Sequence, residues 1–191
     1  MRLYGNFIGL IVFVILSHLG GCSSIRVSQD YDPSRDFSSL RTYAWQNESQ
    51  PKTGDIRVDN SLLDARFRSA IDDSLSKKGY QQISEGKPDF YVAYTYQIES
   101  KIESNNVSVG MGFGRSSRGR HAGVGMNTGT TVREYDQGLL VIDLVDPSKA
   151  SLLWRGTGKA RVNPNAEPEK SVKEINEGVE KILSQFPPQA K

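Results

Sequence analysis

From Asp89 to Lys101, apolar and polar residues alternate. Phe90, Val92, Tyr94, Tyr96 and Ile98 fall on one side, and Tyr91, Ala93, Thr95, Gln97 and Glu99 on the other. A period of two sustained this long marks a strand with one face turned to a core. Such a strand needs neighbours to satisfy its backbone and a layer to cover its apolar face. Leu139 to Val145 (LLVIDLV) supplies one neighbour. It is nearly all apolar, which predicts a central strand buried on both faces. Asp146-Pro147 then starts a turn, and Ser151–Arg161 is the returning strand.

The covering layer is legible as two one-sided helices. Leu63, Phe67, Ala70, Ile71 and Leu75 recur at spacings of three and four between Asn60 and Lys78, and Gly79 closes the run. Ser61-Leu-Leu-Asp64 resembles a capping box with Asp in place of Glu. Val172, Ile175, Val179, Ile182, Leu183 and Phe186 form a second stripe, with Glu167 and Glu169 at its dipole-favoured start and Pro187-Pro188 at its stop. Strands are also expected near Ile25–Ser28, at Thr42–Trp45, Tyr80–Ile83 and Thr130–Tyr135. The order predicts an α+β domain of two layers: a mostly antiparallel sheet with both helices on one face.

The N-terminus carries an address. Arg2 is the only charge before Cys22, and Phe7–Leu16 is apolar apart from one Gly. That run is shorter than the ~20 residues a membrane span needs. A basic start, a short apolar core and small residues before a cut site mark a secretory signal. Leu19-Gly20-Gly21-Cys22 resembles the bacterial lipobox, which implies cleavage before Cys22 and acylation of that residue. Two or three acyl chains hold a protein to a membrane where a single one is marginal. Ser23 and Ser24, rather than Asp, follow the Cys and favour the outer membrane. The expected division is a signal at 1–21, a lipidated tether at 22–28 and one periplasm-facing domain at 29–188. The tether keeps the domain within roughly 15 Å of the lipid.

Composition narrows the chemistry. The chain has 24 Lys and Arg against 22 Asp and Glu. Near neutrality gives no global field for nucleic acid. Cys22 is the only Cys, and the two His are His18 and His121, so no zinc ligand set is at hand. Asp30, Asp32 and Asp36 do not make a calcium loop: Pro33 interrupts them and Arg41 stands where the bidentate Glu belongs. No cofactor motif is found. From Gly112 the third place of a dinucleotide fingerprint is Ser117, and from Gly123 it is Thr128.

Residues 107–129 are the unusual stretch. Val107, Val109, Met111 and Phe113 alternate with Ser108, Gly110, Gly112 and Gly114, and Gly123-Val-Gly-Met126 resumes the pattern. This reads as a hairpin with an apolar face, a glycine face and a cationic tip of Arg115, Arg118, Arg120 and His121. Glycine permits close approach of another surface, and arginines suit phosphates or carboxylates. Lipid head groups, lipopolysaccharide, peptidoglycan or an acidic envelope protein are the matching partners. Tyr91, Tyr94 and Tyr96 are candidates for a ligand-stacking ladder, although Tyr also packs well on a half-buried sheet. Asp143 and Asp146 are the nearest thing to a carboxylate pair, with pairing to Lys or Arg as the plainer expectation.

The opening DYDPSRDFSSLRTYAW, then KKGY, PDFYVAY, GLLVIDLVD, LLWRG and FPP in that order, resemble an uncharacterised family of bacterial lipoproteins classed as a domain of unknown function. The resemblance covers most of 27–188. It implies a periplasm-facing α+β domain at the outer membrane and supplies no catalytic residue. The sequence thus favours a non-enzymatic binding or scaffolding module, ahead of a carrier for a lipid or aromatic ligand, and both ahead of a hydrolase.

Overall fold

The computed structural model describes residues 25–105, 108–116, 119–127, 131–148, 150–163 and 165–189, with the stretches between 104 and 132 described by backbone alone. Strand β1 (Arg26–Tyr31), β2 (Thr42–Trp45), helix α1 (Ser61–Lys77) and β3 (Gln81–Gln82) are followed by β4 (Phe90–Asn105), β5 (Ser108–Ser116), β6 (Gly119–Asn127), β7 (Thr131–Val145), β8 (Leu152–Arg161) and helix α2 (Pro168–Leu183). Six strands form one sheet in the order β1-β8-β7-β4-β2-β3, and β5 and β6 pair separately.

The pairings β4–β7, β7–β8 and β1–β8 are antiparallel, while β2 runs parallel to both β3 and β4. Parallel neighbours need a crossover, and α1 provides it between β2 and β3. Tyr94 stands opposite Ile142, and Ile142 opposite Gly156; Tyr96 likewise meets Leu140, and Leu140 meets Gly158. These rows share the face on which both helices lie. The two-layer α+β arrangement is the one expected from the sequence.

Helix α1 starts one residue from the expected box. The cap is Asn60, whose side chain accepts from the Leu63 backbone N–H at 2.9 Å. Asp64 instead accepts the Tyr94 hydroxyl and pairs with Arg68 at 3.0 Å. The two sequence strands 130–135 and 139–145 are one continuous β7.

Strand β7 is central but is not buried on both faces. Leu140, Ile142 and Leu144 are buried, whereas Leu139, Val141, Asp143 and Val145 are only half-buried. Among the described residues, both helices cover the same side. Apolar composition on the far side therefore reflects fit to a pleated surface rather than full burial.

The core lies between that sheet face and the helices, with Ile71, Leu75, Phe90, Trp154, Ile182 and Phe186 fully buried. Aspartates of the opening segment fix local turns. Asp32 accepts from the Ser34 N–H and hydroxyl at 2.9 and 2.7 Å, and Asp36 from the Ser38 N–H at 2.8 Å. The turns so fixed place Phe37 against Tyr31 and Phe186.

Two glycines show where the layer is tight and where it is open. A Cβ at Gly156 would meet Trp154 and Ile182 at 2.2 and 2.4 Å, whereas one at Gly178 in α2 would meet nothing within 4 Å. Gly178→Ala is accordingly expected to stabilise the domain by about 0.5–1 kcal/mol, since a helical Gly costs backbone entropy. A midpoint in urea below that of wild type would contradict it.

Candidate functional site

The face of β8 under the helices tapers. Trp154, Gly156, Gly158 and Ala160 succeed one another along it, with Gly138 beside Ala160 on β7. The Trp154 ring fills the place of Gly156, and Ile182 Cδ1 comes within 2.6 Å of a Cβ built at Gly158. Beyond that point the small residues leave the floor low. The helices do not close over it, and a groove of about 430 Å³ opens between α1, α2 and the sheet. That volume falls in the ~300–1,000 Å³ range of small-molecule sites.

The floor is Tyr96, Leu140, Gly158 and Ala160; Leu63 and Phe67 of α1 and Ile175 of α2 form the walls. Leu62 at the lining is 70% exposed, a large apolar group left to water. The Tyr96 ring lies 4.7 Å from that of Phe67. Burial pushes its phenol up to about 12, so it remains neutral under ordinary conditions. Its hydroxyl has no hydrogen-bond partner among the described residues.

The charges at the lining are three arginines and one glutamate. Arg57 is paired with Asp55 and Asp136 at 2.7 and 2.8 Å. Arg161 lies 4.0 Å over the Tyr135 ring and pairs with Glu103. Glu174 faces Lys170 at 3.8 Å. Arg66 has no ion pair among the described residues.

The sequence candidates distribute as follows. Cys22 and Arg118 lie outside the described residues. Arg115 stands opposite Arg120 in the β5–β6 register, and His121 opposite Gly114. Glycine meets glycine at Gly110–Gly125 and Gly112–Gly123, while Val109–Met126, Met111–Val124 and Phe113–Ala122 occupy the alternate rows. The tyrosines do not form a ladder. Tyr94 packs on Phe67 and Trp45 in the core, Tyr96 lines the groove, and Tyr91 lies on the far face. The two aspartates are engaged with arginines. Asp143 takes a bidentate Arg155 at 2.6 Å, and Asp146 binds Arg35 and the Ser148 N–H and hydroxyl. Among the described residues, no three of His, Cys, Asp and Glu assemble as a metal site.

A second cluster, unmarked in the sequence, joins α1 to β2. Asp72 accepts from the Tyr43 hydroxyl at 2.7 Å and from Trp45 Nε1 at 3.1 Å, while Arg68 stacks 4.3 Å over Trp45. Burial raises the Asp72 carboxyl above its usual value, against the pull of those hydrogen bonds. A raised carboxylate is a catalytic hallmark, but structural networks produce it too. Here the folded-state pKa exceeds the unfolded one. The charge therefore costs stability above the folded pKa, and the cost vanishes below the unfolded value. At pH 7, Asp72→Asn is expected to match or exceed wild type in urea, because both donors meet Oδ1, an oxygen that Asn retains. That advantage should fade on acidification through the folded-state pKa. A loss above about 2 kcal/mol at pH 7 would contradict it.

A family profile described as Domain of unknown function (DUF4136) matches residues 27–188. No curated protein matches the chain. Among solved structures, a PDZ domain protein from Parabacteroides distasonis ATCC 8503 superposes with a TM-score of 0.53 at 15% identity, over 86% of this chain and 36% of that one. The chain thus spans little more than a third of that protein, and the likeness is one of fold. A PelC dodecamer from Paraburkholderia phytofirmans gives 0.49 at 10% identity, over 86% and 99% of the two chains. A homolog of the neuraminyllactose-binding hemagglutinin from Helicobacter pylori gives 0.37 at 12%, over 80% and 88%. These last two superpositions are too loose to add to the fold.

Proposed function

Since the chain belongs to the DUF4136 family of domains of unknown function, we propose from its own groove and N-terminus that it is a lipoprotein of the bacterial outer membrane, anchored through acylated Cys22, whose periplasm-facing domain is a non-enzymatic binding module. The groove carries the reading. It is concave and largely apolar, with a few polar groups at its lining, as binding sites are. Its lining holds one carboxylate, Glu174, and no His or Cys. An activated nucleophile is hydrogen-bonded to its base, and among the described residues no hydrogen bond joins two side chains of this lining.

The anchor and the groove are close in the chain. Ile25 lines the groove. Two residues, Ser23 and Ser24, separate it from Cys22, a reach of about 10–11 Å. Fractionation of cells making wild type and Cys22→Ser tests the anchor. Wild type is expected in the outer membrane, and the variant unprocessed or lost from it. Identical behaviour of the two would end the lipoprotein reading.

A second contact element is the β5–β6 ribbon. Like charges directly opposite one another weaken a strand pair, and the register puts Arg115 against Arg120. An anionic partner offsets that repulsion through charge-assisted hydrogen bonds. Deletion of 107–129 is expected to reduce in-cell crosslinking to envelope components by several-fold, on the scale of losing one or two such contacts. An unchanged crosslink pattern would remove the ribbon from the function.

A further inference from the structure

We infer that the groove takes the acyl chain of an anionic phospholipid from the membrane to which the domain is tethered, with the head group held at its arginine-bearing mouth; this rests on the binding-module reading above. Four observations converge. The floor and walls are hydrocarbon and aromatic rings, built by the taper from Trp154 to Ala160. The lining carries three arginines: Arg57, paired with Asp55 and Asp136; Arg161, paired with Glu103; and Arg66. Of these, Arg66 is without an ion pair among the described residues, and the neutral Tyr96 hydroxyl is likewise without a hydrogen-bond partner. An exposed Leu62 stands at the lining, and Ile25, three positions after Cys22 in the sequence, lines it too.

The chemistry follows from those groups. Each methylene drawn from water into an apolar site contributes about 0.8 kcal/mol, but a chain already in a bilayer gains little by moving to protein. Affinity from membrane to groove must therefore come from the polar end. A guanidinium with no competing carboxylate makes charge-assisted bonds to a phosphate. A phenol that stays neutral is a donor for an ester carbonyl. A zwitterionic head group cancels much of the first term, so the groove should prefer phosphatidylglycerol to phosphatidylcholine.

The test uses the full mature lipoprotein, purified from membranes and reconstituted in vesicles. The probe is a small fraction of phosphatidylglycerol, or of phosphatidylcholine, carrying a diazirine in one acyl chain. Irradiation followed by peptide mapping is expected to place phosphatidylglycerol label on groove segments around Phe67, Tyr96 and Ile175. Gly178→Leu adds bulk at a lining position where a Cβ meets nothing within 4 Å, and replaces Gly by a better helix former. It should lower that label about tenfold or more while its thermal midpoint does not fall. Ala160→Trp blocks from the floor instead and should do the same. Arg66→Glu should remove the preference for phosphatidylglycerol, and Arg66→Lys should keep part of it.

Label on the groove at the wild-type level in both blocked variants overturns the inference, as does equal labelling by the two lipids. Label found only when the diazirine sits on the acyl chains of Cys22 overturns it in favour of the protein's own anchor. None of these outcomes touches the Cys22→Ser fractionation, so a failed groove and a failed anchor are told apart.

Discussion

Phe186→Ala is expected to remove about 3–5 kcal/mol from the stability of the domain, the range for truncating a fully buried aromatic. Phe186 lies after the last helix, three residues from the final turn of α2. Its ring is nonetheless fully buried and stands 5.9 Å from Phe37, 5.4 Å from Tyr80, 6.1 Å from Phe90 and 5.4 Å from Trp154. Those partners come from the opening segment, the α1–β3 junction, β4 and β8. One side chain therefore joins pieces far apart in sequence. Its loss leaves a cavity that no single neighbour can fill, because each is fixed by its own element. A domain of this size has only about 5–15 kcal/mol in hand, so the variant should lose a large part of its cooperative urea transition. Val172→Ala is the companion measurement. Val172 sits on the same sequence stripe but is 38% exposed, and its truncation should cost well under about 1 kcal/mol. Equal losses for the two would mean that Phe186 is not the junction its contacts describe.

The second large effect is expected from adding atoms. Gly156→Val should cost about 3 kcal/mol, at the upper end of overpacking. A Cβ there would overlap Trp154 Cη2 and Ile182 Cγ2. Neither group is free to retreat. Trp154 is fully buried and its Nε1 donates to Gln29 at 2.9 Å, and Ile182 is fully buried under α2. Relief requires α2 to lift from the sheet, so the loss should come with faster hydrogen exchange in α2 and unchanged exchange in α1. A Gly156→Val protein as stable as wild type would show that the contact can relax without moving the helix. The opposite sign expected at Gly178 makes the pair a direct probe of the layer, closed over Trp154 and open a few residues away.

Most of the fold can be read from the chain because its periods are clean. The alternation of Phe90 to Ile98 becomes β4, and the stripe from Leu63 to Leu75 becomes α1. What escapes is what depends on partners. Asn60 rather than Ser61 caps α1, and Asp64, the expected partner of Ser61, is engaged by Tyr94 and Arg68. The half-exposure of Leu139 and Val141 depends on which sheet face the helices choose, and composition does not encode that choice. Phe186 reads as the end of a stripe, since nothing local distinguishes a peripheral Phe from a hub. The groove escapes for a similar reason. It arises from side chains that are small, so its only mark in the chain is the series Trp154, Gly156, Gly158, Ala160 with Gly138 across the ladder. Spacing of two between shrinking residues is the signal that would have found it. The Tyr ladder fails because alternate positions place Tyr91 and Tyr94 on opposite faces.

Strand β1 is the edge of the sheet, and its register begins at Arg26 opposite Lys159 and ends at Tyr31 opposite Trp154. Under the anchor proposed at Cys22, tension would enter the sheet at the first of those pairs. A pull along the strand loads the six pairs together, in shear. A pull across the sheet loads them one after another, starting at Arg26, as a zip opens. The domain is therefore mechanically anisotropic: its hold on β1 is firm when the sheet stands end-on to the membrane and weak when it is levered sideways. The fourth pair to part in the sideways case is Gln29–Gly156, and with it goes the hydrogen bond from Trp154 Nε1, so a force-driven loss of β1 would reach the aromatic core two pairs before its end.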